Sequence, residues 1–157
     1  MALHFSVIFL AIYLLSQMRT SDAFRWEDCG KGNDALQFKS FSLSPQPVRY
    51  PGTVRLGWSA QVKRSLRGMQ VQSQYYKKDG HWVKIPCPEI YHCDVDVCKA
   101  LGKETSCAFN TGLFVRPEHE YVHSSSIPSG DYYGELHFFS SGQHVGCVRV
   151  YYEVIGA

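Results

Sequence analysis

One stretch of the chain spells the motif by which zinc hydrolases bind their metal. Residues His119-Glu120-Tyr121-Val122-His123 match HExxH, in which two histidines hold zinc and the glutamate acts as general base. This chemistry needs a helix, because only there do residues four apart lie on one face about a turn from each other. On a strand the two histidines would stand roughly 13 Å apart, at about 3.3 Å per residue. Val122 and the three serines after the motif propagate a helix poorly. We therefore interpret the match as accidental and keep a small zinc hydrolase using residues 119–123 as a remote alternative.

Six cysteines form the second set of residues that could do chemistry. Cys29 and Cys147 lie near the two ends of the chain that follows an apolar leader, and a bond between them would tie these ends together. The other four crowd into one central segment: Cys87, Cys93, Cys98 and Cys107. An even cysteine count in a small secreted chain is typical of a disulfide framework. A zinc site of His92 with the last three of these four is the alternative, but secreted cysteines usually oxidise. We predict disulfides, no metal and no cofactor.

The remaining charged residues indicate no further chemistry. Asp94 and Asp96 could serve calcium or acid–base catalysis, but they are more typical of carboxylates at the start of a short helix. Lys63, Arg64 and Arg67 surround Leu66, and this basic cluster could touch an anionic membrane or simply form a solvated turn. The formal net charge of +2 is too weak to favour nucleic acid as a partner.

The N-terminus predicts a signal peptide. The apolar run from Phe5 to Leu15 has the length of a signal-peptide core and is too short to span a bilayer. Ser21 and Ala23 are small residues at the −3 and −1 positions, so we place cleavage after Ala23. Residues 1–23 are then the leader, and residues 24–157 have the length of one domain in a secreted or lysosomal protein.

The elements that must position these residues are strands. Thr53 to Val62 alternates, with Val54, Leu56, Trp58, Ala60 and Val62 on one face. Residues 69–75 and 81–85 flank a turn at 78–80, and residues 132–139 and 145–155 flank a turn at 140–142. The pairs Leu36, Phe38 and Phe41, Leu43 are out of phase, which suggests a bulge. Only residues 94–101 resemble a helix. The pattern predicts an all-β fold, a two-sheet antiparallel Ig-like β-sandwich with one short helix at most.

Four segments carry a resemblance to a known family. They are 24–29 (FRWEDC), 82–87 (WVKIPC), Cys93-Asp94-Val95 with Cys98, and 140–148 (SSGQHVGCV). Together they resemble the ganglioside-activator branch of the MD-2-related lipid-recognition (ML) domains, and the resemblance covers nearly all of residues 24–157.

The resemblance implies a β-cup, a two-sheet sandwich with an apolar cavity between its sheets. It implies a non-enzymatic carrier that lifts one glycolipid or phospholipid from a membrane and shows it to a soluble hydrolase such as a glycosidase. Periodicity alone does not separate a cavity from a packed core. The candidate cavity residues are Leu56, Trp58, Val71, Tyr75, Leu113, Phe114, Phe138 and Val150. The candidate rim residues, for a transient membrane contact, are Lys63, Arg64, Leu66, Arg67 and Ile127.

The resemblance also implies the pairing Cys29–Cys147, Cys87–Cys93 and Cys98–Cys107. The chain departs from its family in lacking a fourth disulfide and in a shortened loop at residues 127–131 without a membrane-inserting tryptophan. A secreted binding module for a protein or a sterol-like ligand is therefore the alternative function.

Overall fold

Runs of alternating residues form strands through most of the chain. The computed structural model describes residues 24–87, 92–103 and 107–156. The strands are β1 (Arg25–Asp28), β2 (Leu36–Ser44), β3 (Val48–Tyr50), β4 (Gly52–Val62), β5 (Leu66–Arg67), β6 (Gln70–Asp79), β7 (His81–Ile85), β8 (Asp94–Asp96), β9 (Ala108–Phe109), β10 (Gly112–His123), β11 (Gly130–Ser140) and β12 (Gln143–Gly156). One helix, α1, spans Val97–Ala100. No helix in these ranges is both long and apolar enough to cross a membrane. The expected leader, residues 1–23, lies outside the described residues and stays a prediction.

Two antiparallel sheets face each other, which confirms the predicted all-β sandwich. The large sheet has the order β1-β12-β11-β6-β7, with β8 added antiparallel to β6. The small sheet has the order β10-β4-β2. Two details were not predicted: β3 pairs in parallel with β12, and β5 and β9 form a separate two-stranded ribbon.

Strand β4 shows why the alternation predicts the fold. Val54, Ala60 and Val62 are buried, while Thr53 and Arg55 on the other face are exposed. The strand lies between β2 and β10, so its apolar side chains cover the inner face of the small sheet. The predicted hairpins also form, β6–β7 around Gly80 and β11–β12 around Ser141 and Gly142.

Two bulges in the small sheet reset which of its side chains point inward. The predicted bulge in β2 lies between Phe38 and Ser40, where the pairing with β4 shifts by one residue. A second bulge, in β10 between Arg116 and His119, was not predicted. It contains Pro117, which cannot donate to the sheet and is tolerated at an edge-strand bulge.

The predicted helix over residues 94–101 is only partly correct. Residues 94–96 form strand β8, because their backbone pairs with β6. The helix begins at Val97, where the Asp96 carboxylate accepts hydrogen bonds from the backbone N–H groups of Cys98 (2.9 Å) and Lys99 (3.2 Å). Asp96 therefore serves the helix as an N-cap. Asp94 lies on the strand, and the expectation that it supports the helix was wrong.

The sandwich is solid at one end. At Gly146 the two sheets approach so closely that an added Cβ would lie 2.8 Å from Cβ of Leu36. Val62, Val145 and Val148 are almost completely buried. The two sheets are therefore in direct contact at these residues.

The three disulfides are those that the resemblance implied, and none of the six cysteines is free. Cys29–Cys147 joins residues 118 positions apart, and the backbone N–H of Cys29 also donates to the Cys147 carbonyl (3.1 Å). This bond fixes β1 at the edge of the large sheet. Closing a loop this long stabilises the fold by about 4–5 kcal/mol in the chain-entropy description.

Candidate binding cavity

Away from Gly146, the sheets enclose a cavity of about 520 Å³. This lies within the range of about 300–1,000 Å³ typical of small-molecule sites. Apolar side chains from both sheets form most of its wall: Phe41, Leu43, Val54, Leu56, Trp58, Val71, Leu136, Phe138 and Val150. The described wall can therefore receive a hydrocarbon chain.

An aromatic cluster closes the inner end of the cavity. The Trp58 ring lies 5.6 Å from Phe38 and 5.6 Å from Phe138, centroid to centroid, and 5.1 Å from Phe114. Phe38 and Phe138 are themselves 4.9 Å apart. Trp58 and Phe138 line the cavity, whereas Phe38 is buried behind them. The cluster separates the cavity from the solid core.

Tyr75 brings a neutral hydroxyl into the wall. Its ring lies against Gly134, where an added Cβ would come within 3.0 Å of the ring. Burial raises the pKa of Tyr75 to about 12, and this outweighs the opposing effect of its hydrogen bond with Ser73. The side chain therefore stays un-ionised at physiological pH and adds hydrogen-bonding capacity without charge.

Charged side chains collect where the cavity opens. We call this opening the mouth, formed by His92, Asp94, Asp96 and Lys99 on one side and by Arg116 and His123 of β10 on the other. His92, Asp94 and Lys99 are exposed, which places the opening between β10 and the β8–α1 segment. A cavity that is apolar inside and charged at its mouth matches an amphiphile.

His123 lies close enough to His92, on the other side of the mouth, for the two side chains to interact electrostatically. Burial lowers the pKa of His123, and the nearby His92 lowers it further by charge repulsion. The His123 ring packs edge-on against Tyr50, 5.2 Å away. The neutral imidazole is thus favoured in the folded protein.

The bulge in β10 decides which residues of this strand reach the cavity. Before it, Phe114 and Arg116 point inward and Leu113 points outward; after it, Tyr121 and His123 point inward. A prediction that assumes strict alternation along β10 therefore assigns the residues on one side of the bulge to the wrong face. Pro117 within a strand was the available signal for the bulge, and it did not enter the prediction.

Six of the eight candidate cavity residues line the cavity: Leu56, Trp58, Val71, Tyr75, Phe138 and Val150. Their role in lipid binding stays a prediction. Leu113 was assigned to the wrong face, because it lies on the outer side of β10 and is 63% exposed. Phe114 is outside the wall and packs behind it, against Trp58 and Phe109.

The candidate rim residues do not border the cavity. Leu66 and Ile127 are 5% and 9% exposed, so neither is available to a membrane. Lys63, Arg64 and Arg67 are exposed but follow the end of β4 at Val62. Trp58 is five positions before Lys63, or roughly 16 Å along a strand. The basic cluster therefore belongs to the solid end, and its assignment to the rim was wrong.

The HExxH residues lie on strand β10 and not on the helix that a zinc site would need. His119 is aligned with Leu56 and His123 with Gly52, so the two histidines are separated along the strand. The Glu120 carboxylate accepts from the Arg55 guanidinium (2.7 Å from Nε, 2.6 Å from Nη2) on the outer face. The described residues contain no group of three or more side chains able to hold a metal ion.

The alternative zinc site of His92 with Cys93, Cys98 and Cys107 is excluded, because the three cysteines are in disulfides. Cys93 is bonded to Cys87, and Cys98 to Cys107, so neither pair offers a thiolate ligand.

Comparison with known proteins gives the family. The sequence model of the ML domain matches residues 23–154. The chain belongs to the ML-domain family. Its relatives include the ganglioside GM2 activator of Macaca fascicularis, which is 23% identical over an alignment of 161 residues. The alignment covers 86% of this chain and 85% of that protein. The ganglioside GM2 activator of Mus musculus is 26% identical over 153 residues, covering 81% of this chain and 79% of that protein.

Solved structures of other proteins share the fold. A Niemann-Pick type C2 protein from Japanese carpenter ant superposes with a TM-score of 0.59 at 12% identity, covering 83% of this chain and 99% of that chain. The C-terminal domain of wzt superposes with a TM-score of 0.56 at 11% identity, covering 85% and 81%. At these identities the structural likeness shows the fold alone. ML domains are lipid-recognition modules, and lipid binding is the function that family membership gives to this chain.

Proposed function

We propose that this ML-domain protein is a non-enzymatic carrier that takes up one glycolipid or phospholipid and presents it to a soluble hydrolase. The observation that carries the proposal is the cavity of about 520 Å³, apolar within and charged at its mouth. The names of the two ganglioside GM2 activators favour a glycosphingolipid as ligand, and for such a ligand we propose a glycosidase as the partner. We place the protein outside the cell or in the lysosome, because of the signal peptide expected before Phe24.

The apolar wall supplies the driving force for uptake. Each buried methylene contributes about 0.8 kcal/mol, so a chain of about ten methylenes gains roughly 8 kcal/mol. Association itself costs an estimated 4–15 kcal/mol, which the hydrocarbon offsets in large part. The headgroup remains at the mouth, where a soluble enzyme has access to it.

We assign the transient membrane contact to the outer side of β10 instead of the basic cluster. Leu113, Val115 and Val122 are 63%, 55% and 79% exposed. They lie on the edge strand that also carries Arg116 and His123 of the mouth. Apolar side chains on this strand would bring the mouth to the bilayer surface.

The membrane assignment has its own test. The double variant Leu113→Ser, Val115→Thr should slow lipid transfer from vesicles while leaving the affinity for a lipid delivered in solution unchanged. Val83→Thr is the matched control, since Val83 is also exposed but lies on β7 of the large sheet. Equal transfer rates for the double variant and the control would place the membrane contact elsewhere.

Native mass spectrometry of the purified protein tests the carrier function. We expect one lipid of defined mass per chain, released by organic extraction and regained from vesicles. A bound sterol would favour the binding-module alternative. A chain that neither carries nor takes up lipid would refute the proposal.

A coupled assay tests presentation to an enzyme. The protein should accelerate a soluble glycosidase acting on a membrane-held glycolipid, but not on the detached headgroup in solution. Acceleration of both substrates would indicate a direct effect on the enzyme and contradict the carrier mechanism.

A further inference from the structure

Arg116 is a cation in the cavity wall without a partner among the described residues. It lies on β10 opposite Trp58 and directly before the bulge, and it is partly buried. No hydrogen bond or ion pair is formed by its guanidinium in the described structure. Arg55 is paired with Glu120, and Arg149 with Glu27 and Glu135. The other described arginines without an ion pair, such as Arg64 and Arg67, are exposed to solvent, whereas Arg116 is partly buried.

A partly buried arginine without an ion pair in a cavity wall can bind an anionic group of a ligand. The guanidinium always carries its charge and offers five donors in a planar fork that fits a carboxylate or phosphate. Partial burial removes part of the hydration of the guanidinium. A charge-assisted hydrogen bond to an anion compensates for the hydration free energy that is lost. The side chain therefore selects for negative charge at the position where a ligand's headgroup meets its hydrocarbon chain.

The other charges at the mouth leave this preference intact. Lys99 adds a second positive charge. The Asp96 carboxylate already accepts two backbone N–H groups of the helix, which reduces its effect on a ligand. Asp94 is exposed, so water screens its charge. His92 and His123 add positive charge when protonated and none when neutral.

We infer that the ligand is an anionic amphiphile whose carboxylate or phosphate binds Arg116 while its hydrocarbon chain lies along Trp58 toward Phe138. This inference rests on the proposed lipid-binding function and specifies the chemical class of the lipid. A phospholipid or a glycolipid with a carboxylate would supply such a group, and so would a free fatty acid. An uncharged amphiphile of the same length would bind more weakly.

The test compares matched amphiphiles by displacement of a fluorescent lipid from the tag-free protein. A long-chain fatty acid, its methyl ester, a lysophosphatidic acid and a monoacylglycerol share similar chains but differ in charge. We expect the two anionic probes to bind about tenfold more tightly than the two neutral ones, as for a partly exposed charge-assisted hydrogen bond. The stronger of the two anionic probes identifies a carboxylate or a phosphate as the preferred group.

Variants separate Arg116 from a general charge effect. Arg116→Gln should reduce the ratio of anionic-probe affinity to neutral-probe affinity from about tenfold to about one, and Arg116→Lys should retain part of this preference. Arg55→Gln removes an arginine of the outer face and should leave the preference unchanged. Asp94→Asn should strengthen anion binding slightly or leave it unaltered. Thermal unfolding of each variant verifies that it is folded.

The outcomes distinguish this inference from the proposed function. Tight binding that is insensitive to charge, or an anion preference that survives Arg116→Gln, would overturn the role of Arg116 and leave the lipid carrier standing. Failure of all four probes to bind the folded protein would overturn both.

Discussion

Replacing Trp58 and Phe38 by alanine separates the cavity wall from the core behind it. The two rings touch, with centroids 5.6 Å apart, and both contact Phe138. Phe38 is 4% exposed and does not line the cavity, whereas Trp58 is only partly buried because one side faces the cavity. The pair therefore tests stability and binding at neighbouring positions.

The expected losses of stability differ because the two sites differ in burial. Phe38→Ala creates a new cavity in packed surroundings and should lower the free energy of unfolding by about 3–5 kcal/mol. Trp58→Ala enlarges a space that already exists, so a smaller loss of about 2–3 kcal/mol is expected. Urea unfolding of the lipid-free variants measures both values.

The expected effects on ligand affinity have the opposite order: Trp58→Ala should weaken binding more than Phe38→Ala. If about a third of the Trp58 side chain contacts the ligand, roughly 60 Å² of apolar contact is lost. At about 25 cal/mol/Å² this amounts to about 1.5 kcal/mol, or roughly a tenfold weaker affinity. Phe38→Ala should change the affinity less than threefold, since its ring does not touch the ligand space.

Displacement titration below the unfolding temperature of both variants measures these affinities. Trp58→Ala protein that loses as much stability as Phe38→Ala while binding lipid normally would show that the space beside Trp58 is not the ligand site. Equal effects of both substitutions on both quantities would refute the division into wall and core.

Three further predictions concern the solid end, the mouth and the HExxH match. Gly146→Val should lower the free energy of unfolding by about 1–3 kcal/mol, because the added side chain overlaps Leu36. The lowered pKa of His123 means that the folded chain binds fewer protons than the unfolded chain, so stability should fall as the pH drops below about 6.5 toward the folded-state pKa. His123→Gln should reduce this pH dependence. Glu120→Gln should leave lipid transfer unchanged, with stability lowered by at most about 1 kcal/mol through loss of an exposed ion pair, and the purified protein should contain no stoichiometric zinc.

Each of these predictions has a matched control or a contrary result. Gly32→Ala should be nearly neutral, since no atom lies within 4 Å of the added Cβ; an equal loss at both glycines would contradict the close approach of the sheets at Gly146. An identical pH profile for His123→Gln and the parent chain would exclude His123 as a source of acid sensitivity. A chelator-sensitive hydrolase activity that disappears in Glu120→Gln protein would restore the zinc-hydrolase alternative.

Much of the fold follows from local patterns in the sequence. The alternation in Thr53 to Val62 predicts a half-buried strand because side chains on a strand point to opposite faces in turn. The phase change between Phe38 and Phe41 predicts the bulge in β2 for the same reason. The HExxH match was interpreted as accidental because the residues beside it propagate a helix poorly, and the segment forms a strand. These patterns involve residues that are close together in the sequence, so they can be recognised without the tertiary structure.

The disulfide pairing and the cavity required more than local patterns. Spacing alone allows six cysteines to pair in 15 ways, and the correct pairing came from family resemblance. Trp58 and Phe138 were correctly placed on inward faces, yet an inward face serves a core and a cavity equally well. Whether the sheets touch, as at Gly146, or diverge, as beside Trp58, depends on the packing of residues distant in sequence.

The polar mouth and the faces of β10 were decided only by the tertiary structure. A single extra residue between Arg116 and His119 reverses the alternation, which turns Tyr121 and His123 toward the cavity. Leu113, on the other side of the bulge, faces outward, against the sequence-based expectation. His92 and Lys99 join Arg116 at the mouth because β8 and α1 lie beside β6 in the opposite sheet. The sequence by itself determined which segments become strands and which of their faces are apolar, because those properties repeat over two residues. Only the tertiary structure determined which apolar faces enclose space and which charges surround its opening, because both depend on contacts between strands far apart in the chain.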